Sequence, residues 1–186
     1  MKKLIFLIAL GSISSLAIAQ DKCSQVIQLL DQVKDACQAY PPQDYCNIFV
    51  GQAISDMYQI DDFKLSASPT GFYDANSIVL NLFTTWSANW QNLGTADSQD
   101  VLNAAQNVAN SNKCVIAVWR NPNPSNPGHI CLILPGQLTA SGTWGLNVPN
   151  SANFAMNAPA NNYVCDKLSK AFRANAAPAV YLFVHN

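Results

Sequence analysis

Residues 114–134 have the sequence CVIAVWRNPNPSNPGHICLIL, and this stretch decides the predicted fold. Two apolar runs, Cys114–Trp119 and His129–Leu134, flank a loop that contains three prolines. Continuous apolar runs of this length are typical of strands that are buried on both faces. Proline is poorly tolerated inside a strand, so the chain is expected to turn within the loop. The stretch therefore predicts a hairpin of two buried strands.

Helices are predicted before this hairpin and further strands after it. Asp, Asn and Ser commonly cap helix N termini, and proline stops a helix, so these residues mark the predicted boundaries. Helices followed by an antiparallel sheet predict one α+β domain over residues 20–186. The predicted elements are helices at 23–39, from Asp44, from Asp74 or Asn76, from Ser98 to Ala109 and at Val164–Arg173, strands at Cys114–Trp119, His129–Leu134, Thr143–Val148 and Val180–Val184, and long connections at 61–73 and 149–162.

The first 19 residues have the pattern of a secretory signal peptide. Lys2 and Lys3 precede the apolar run Leu4–Leu10, and residues 17–19 form an Ala-Ile-Ala cleavage site. The apolar run is too short for a membrane span, and no later segment is long enough either. We therefore expect an exported protein, periplasmic or secreted, with no membrane association after cleavage.

Composition argues against two classes of partner. The 11 acidic residues are all aspartate, and the formal net charge of −1 becomes more negative when the two lysines of the signal peptide are removed. The basic residues are few and scattered, so we expect no nucleic-acid binding. With two histidines and no glutamate, a catalytic zinc site is not expected, and the sequence predicts neither a metal nor another cofactor.

Six cysteines, all after residue 19, fit export to a compartment where disulfides form. If residues 22–38 are one helix, Cys23 and Cys37 lie about 21 Å apart along its axis, too far to bond. Cys114 and Cys131 are not expected to lie opposite each other in the hairpin. The even count favours three bridges and so argues against a free Cys46. Cys46 is either a free thiol, in which case one more cysteine is also free, or a half-cystine, for example bridged to Cys37 across the turn at Pro41 and Pro42.

Cys46 and His129 are the candidate catalytic pair. Cys46 is predicted in the first turn of the second helix, where free N–H groups and the helix dipole lower the pKa of a thiol. His129 begins a strand directly after Gly128. The competing histidine is His185, one residue from the C-terminus. A thiolate beside an imidazole base is the arrangement required for nucleophilic attack on an amide.

Such a pair usually has a third residue that orients the imidazole. Asn147, on the predicted neighbouring strand, is the first candidate and Asn150 the second.

Other residues are candidates for the oxyanion hole and the substrate groove. The backbone N–H of Cys46, with a group just before it such as Gln43 or Tyr45, would stabilise the oxyanion. Trp119 and Trp144 either line a groove or fill the core.

Two segments resemble a family. Residues 45–50, YCNIFV, resemble the cysteine motif of the NlpC/P60 and CHAP superfamily of cell-wall cysteine peptidases and amidases. Residues 115–119, VIAVW, followed by a loop and by GHICLI at 128–133, resemble the strand, loop, Gly-His-Val and strand of that superfamily. The resemblance covers residues 44–150. It implies a papain-like fold with N-terminal helices packed on an antiparallel sheet, and hydrolysis of amide bonds in peptidoglycan stem peptides without a cofactor.

The chain also resembles amidase effectors that bacteria deliver against competitors, which implies an inhibitor or immunity protein as a possible partner. It departs from the family pattern at Tyr45, where an aspartate or glutamine is usual, and in offering only an asparagine as the third residue. Three hypotheses follow: a cysteine hydrolase, a disulfide-stabilised secreted binding protein on the same fold, and a transferase in which an amine captures the acyl-enzyme.

Overall fold

The computed structural model describes residues 21–33, 48–155 and 161–186. Within these ranges the chain forms four α-helices and eight strands, so the α+β class is confirmed. The elements are α1 (21–33), α2 (Ile48–Tyr58), α3 (Ala75–Phe83), β1 (Trp90–Thr95), α4 (Gln99–Asn110), β2 (Val115–Trp119), β3 (His129–Ile133), β4 (Thr139–Ser141), β5 (Leu146–Val148), β6 (Asn150–Asn153), β7 (Tyr163–Lys167) and β8 (Val180–His185). Six of the strands form one antiparallel sheet in the order β1-β8-β2-β3-β6-β7.

The sheet has a hydrophobic core on each face. On one face, Ile130 and Leu132 of β3 pack with the buried residues of α1, α2 and α3. On the other face, Cys131 and Ile133 pack with α4. Successive side chains of a strand point to opposite faces, so His129 belongs to the α4 face. The predicted β2–β3 hairpin is confirmed, with Val118 opposite Ile130.

Two predicted helix starts are confirmed by their caps. The Asp74 side chain accepts a hydrogen bond from the Ser77 backbone N–H, and Ser98 accepts one from Val101. The second predicted helix is present as α2, but its predicted cap, Asp44, lies outside the described residues. So do the predicted signal peptide and residues 34–39 of the first predicted helix.

The predicted helix at Val164–Arg173 is wrong. Tyr163–Lys167 instead forms β7, an edge strand paired with β6, and a single 3-10 turn follows at Leu168–Lys170. The predicted strand at Thr143–Val148 is shorter and belongs to the separate β4–β5 hairpin, which turns through Gly145 at φ +66°.

Besides β7, the strands β1, β4 and β6 were not predicted from the sequence. In β1 only Trp90 is fully buried, because this strand forms an edge of the sheet, and its residues show no alternation. In β6 the sequence is Asn-Ser-Ala-Asn, whose polar residues are typical of a loop. The long connection predicted at 149–162 is therefore wrong for residues 150–153.

One disulfide lies in the described part of the chain. Cys23 of α1 is bonded to Cys165 of β7, across 142 residues of sequence. Cys114 and Cys131 are buried free thiols. Ala117 lies opposite Cys131 in the hairpin, so the expectation that these two cysteines do not face each other is confirmed. Within the described ranges, no helix has the length and apolarity that crossing a membrane requires.

Thiol mapping tests this arrangement. We expect alkylation of denatured, unreduced protein to label Cys114 and Cys131 and to leave a linked peptide that contains Cys23 and Cys165. In the native protein both thiols should resist labelling, because burial raises their pKa, to about 12 for Cys131. The measurement is peptide mass spectrometry with and without denaturant. A bridge that contains Cys114 or Cys131 would contradict the structure.

Candidate functional site

His129 lines a cleft of about 580 Å³. It is the first residue of β3 and is opposite Trp119 of β2, which also lines the cleft. Phe172 forms part of the wall, and its ring meets the imidazole edge-on with 5.3 Å between centroids. A cleft of this volume is in the range of sites for small molecules and short peptides.

Asn153 of β6 orients the imidazole. The distance from Nε2 of His129 to Oδ1 of Asn153 is 2.6 Å. Nδ2 of Asn153 donates to the carbonyl of Asn161 at 2.8 Å, which leaves the amide oxygen to face the imidazole. Nε2 of His129 must then carry the proton and donate it. Nδ1 is left with its lone pair and is the nitrogen that can accept a proton.

The surroundings keep the imidazole neutral. Burial lowers the pKa of His129 below its usual 6.5, and the hydrogen bond to Asn153 opposes this shift only in part. At pH 7 the ring is therefore predominantly unprotonated. Asn153 has no exposed surface, so its bond to His129 is shielded from water. A neutral imidazole with a fixed tautomer is the form required of a general base.

The far wall of the cleft is supported by Trp144. Its ring lies 6.3 Å from that of Phe172, and its Nε1 donates to the carbonyl of Arg173 at 3.4 Å. Trp119 and Trp144 are both half-buried. Trp119 faces the cleft directly, and Trp144 braces the segment that carries Phe172.

Neither asparagine considered from the sequence reaches His129. Asn147 lies in β5, where its backbone N–H donates to the Gln99 side chain of α4. The side chain of Asn150 donates to the carbonyl of Pro135.

The residue that bonds His129 is Asn153, in a segment interpreted from its sequence as a connection. The signal that could have found it is the spacing of two residues between Ser151 and Asn153, which places both on one face of a strand.

His185 lies at the other end of the sheet. Trp119 pairs with Val180, at the start of β8, and His185 is at the end of that strand. Its imidazole lies 3.6 Å from the Asp62 carboxylate and meets the Trp90 ring edge-on. It is held in a strand, whereas its position near the C-terminus suggested a frayed end.

Cys46, Gln43 and Tyr45 lie outside the described residues. The nearest described element is α2, which starts at Ile48. Phe49 in its first turn has its ring centroid 6.1 Å from that of Phe154, which directly follows Asn153. The start of α2 therefore lies at the same end of the sheet as His129. The helix packs on the opposite face, however, with Ile130 and Leu132.

The start of α3 fixes the loop before His129. Asn76 donates from Nδ2 to the carbonyl of Asn126 and accepts the backbone N–H of Asn121 at Oδ1. We call the Asn76 side chain with these two hydrogen bonds the Asn76 clamp, and Gly128 packs against it. A Cβ at residue 128 would be 2.7 Å from Oδ1 of Asn76 and 2.7 Å from the carbonyl oxygen of Trp119. Gly128 thus allows a close approach of the loop to α3 and β2, which sets the position of His129.

Comparison with protein-family models and with curated proteins gave no match to the chain. Among the residues that the structure describes, no three His, Cys, Asp or Glu side chains come together as a metal site would require.

Gly128→Ala should destabilise the protein. The added methyl group has to displace Asn76 or the backbone of β2, and overpacking of this kind costs about 1–3 kcal/mol. The measurement is the free energy of unfolding in urea. Gly142→Ala is the matched control, because its Cβ would meet no atom within 4 Å. Equal stability of the two variants would contradict the close packing of residue 128 against the Asn76 clamp and β2.

Asn153→Ala should alter the titration of His129. Removal of the hydrogen bond that raises the pKa of His129 leaves burial unopposed, so that pKa should fall further and the preference for the Nε2–H tautomer should weaken. NMR titration of the two imidazoles measures both effects, with His185 as internal reference. Asn147→Ala is the control and should leave the His129 signals unchanged. Unchanged His129 signals in Asn153→Ala would show that the bond does not govern the ring.

Proposed function

We propose that the protein is an exported cysteine hydrolase with a papain-like fold of the NlpC/P60–CHAP type, and that it cleaves amide bonds in peptidoglycan stem peptides. The observation that carries the proposal is the bond between the buried Asn153 and His129, which lines the cleft. A histidine with its Nε2 proton held by an amide oxygen is prepared to accept a proton at Nδ1. This arrangement serves acyl transfer from an amide to a cysteine.

In the proposed mechanism, Cys46 supplies the nucleophile. Nδ1 of His129 takes the proton of the thiol as sulfur attacks the amide carbonyl, and returns it to the leaving amine. Water then hydrolyses the thioester, with His129 again acting as base. Asn153 keeps the imidazole in the required tautomer, so it takes the positioning role first considered for Asn147. The oxyanion donors stay as predicted, the backbone N–H of Cys46 with Gln43 or Tyr45.

The position of α2 supports this assignment. Its first turn lies at the end of the sheet where His129 and Asn153 are found, through the contact of Phe49 with Phe154. Cys46 is two residues before α2 in the sequence. The proposal requires this short segment to pass around the end of β3 and β6 from one face of the sheet to the other.

Export is part of the proposal. The first 19 residues would direct the chain out of the cytoplasm, and the Cys23–Cys165 disulfide fits an oxidising compartment. A peptidoglycan hydrolase acts in that location. An inhibitor or immunity protein that covers the cleft would be its expected protein partner.

Digestion of purified peptidoglycan tests the proposed chemistry. Wild-type protein should release cleaved stem peptides, whereas Cys46→Ala and His129→Ala should release none above background. Asn153→Ala should be slower by about a hundredfold, because an imidazole that is not held loses its alignment. The measurement is mass spectrometry of the soluble products over time.

Asn147→Ala is the matched control and should retain the wild-type rate. It removes the same amide from a site where the backbone, not the side chain, bonds to Gln99. Turnover by purified Cys46→Ala protein would disprove the mechanism. A greater loss in Asn147→Ala than in Asn153→Ala would return the positioning role to Asn147.

A secreted binding protein on the same scaffold is the second candidate. Cys23 and Cys165 are bonded to each other and Cys114 and Cys131 are free, so Cys37 and Cys46 are the two cysteines left to pair. A bridge between them would remove the nucleophile. The packing of α2 on the face opposite His129 also favours this candidate. Thiol mapping separates the two: a Cys37–Cys46 bridge supports binding, and a free Cys46 supports catalysis.

A further inference from the structure

Cys165 occupies a bulge in the edge strand β7. The register of β6 with β7 shifts between Ser151 and Ala152, and Cys165 is the additional residue of β7 at this point. Its φ is +58°, in the left-handed region that residues other than glycine rarely adopt. Bulges with a residue in this conformation usually have glycine there. Cys165 is therefore strained, and its disulfide bond to Cys23 of α1 is the interaction that can hold it in place.

The Cys23–Cys165 disulfide lies within reach of a reductant. Both of its cysteines are half-buried, whereas the free thiols Cys114 and Cys131 are buried in the two cores. The strand β7 that carries Cys165 is at the edge of the sheet and pairs with β6 alone. Disulfides that are partly exposed, or that hold a strained backbone, are reduced more readily than buried ones. This bond is therefore accessible to thiol exchange in the folded protein.

The start of β7 also holds the residue that orients His129. The carbonyl of Asn161 accepts a hydrogen bond from Nδ2 of Asn153, and Tyr163 lies opposite Asn153 in the strand pairing. The Tyr163 hydroxyl forms a further hydrogen bond of 2.9 Å to a serine of β6. These contacts keep Oδ1 of Asn153 directed at the imidazole. Since Tyr163 precedes the bulge at Cys165 by only two residues, a change in the bulge reaches the partner of His129.

We propose that the Cys23–Cys165 disulfide is a redox switch for the His129 site. In the oxidised protein the bond keeps β7 in its bulged register, and Asn153 holds the imidazole in the Nε2–H tautomer. In the reduced protein residue 165 relaxes from the left-handed conformation, the start of β7 shifts, and Asn153 loses its fixed orientation. The consequence for activity rests on the proposed function: the hydrolase stays weak until export, and oxidation then completes its site.

The switch is an exchange of disulfides. A thiolate of a small dithiol attacks one sulfur of the bridge, and the second thiol of the reagent then releases the protein. Cys23 and Cys165 each gain one electron and one proton, and the dithiol is oxidised to its own disulfide. After export, a disulfide donor of the oxidising compartment accepts the two electrons and two protons, and the bridge forms again.

Two variants that differ only at residue 165 test the switch. Cys23→Ser with Cys165→Ser removes the bond and keeps a side chain that strains the bulge, so this serine variant should behave as the reduced protein. Cys23→Ser with Cys165→Gly removes the same bond, but glycine adopts a φ of +58° without strain, so this glycine variant should keep the bulge. NMR should show a weaker Nε2–H preference at His129 and at least about tenfold faster amide exchange in β6 for the serine variant. The glycine variant should match oxidised wild type.

Reduction makes the same test without a substitution at residue 165. In the Cys46→Ala background, dithiothreitol should convert the His129 signals to those of the serine variant, and oxidised glutathione should restore them. The internal references are His185, at the other end of the sheet, and the amides of the central strand β2, which report loss of the whole fold.

Peptidoglycan digestion measures the consequence for activity. The serine variant should be slower than the glycine variant by about tenfold, because its imidazole is held less well. In the Asn153→Ala background the two should have equal rates, because the switch acts through Asn153.

Three results would overturn the inference: His129 signals that reduction leaves unchanged, a glycine variant that behaves as the serine variant, or equal acceleration of amide exchange in β2 and β6. Failure of the proposed function has a different signature. Wild-type protein that cleaves no peptidoglycan, together with His129 signals that follow residue 165, would disprove hydrolysis and keep the switch. Cleavage at one rate by all three proteins, with unchanged His129 signals, would keep hydrolysis and remove the switch.

Discussion

Burial of the β2–β3 hairpin on both faces is the constraint on which the rest of the structure depends. Val115 to Val118 and Ile130 to Ile133 are all buried, and the sheet therefore has to be covered on two sides. Helices α1 to α3 cover one side, and α4 with the β4–β5 hairpin covers the other. Each fully buried aliphatic side chain contributes about 1.5–3 kcal/mol, so these two strands supply a large part of the folding free energy.

The same constraint creates the candidate site. His129 is the first residue of β3 and precedes the apolar residues of that strand. It lines the cleft, on the same face of the sheet as α4. The neighbouring strand β6 supplies buried polar groups here, and each has its partners: Ser151 bonds the carbonyl of Asp166, and Asn153 bonds His129 and Asn161. A buried polar group without partners costs about 1–3 kcal/mol, so these hydrogen bonds favour the observed register of β6. The hydrogen bonds that hold β6 also hold the imidazole.

The two candidate functions differ in what they require of a short segment. A hydrolase requires the chain before Ile48 to bring Cys46 around the end of the sheet to Nδ1 of His129. A binding protein requires only that the cleft beside His129 be accessible. The cleft is common to both candidates, so binding can be tested separately from catalysis. The number of free thiols is the observation that decides between them.

The sequence by itself determined the α+β class, the hairpin, the caps at Asp74 and Ser98, the final strand and the place of His129 at the start of β3. These features depend on local patterns: apolar runs, capping residues and proline. Only the tertiary structure decided the partner of His129, the strands β1, β4, β6 and β7, and the cleft beside His129. Edge strands and buried polar residues gain their stability from neighbours distant in sequence, as when Asn-Ser-Ala-Asn pairs with β3 and β7. The local sequence pattern does not identify those neighbours. For that reason Asn147 was predicted as the partner of His129, whereas the structure has Asn153.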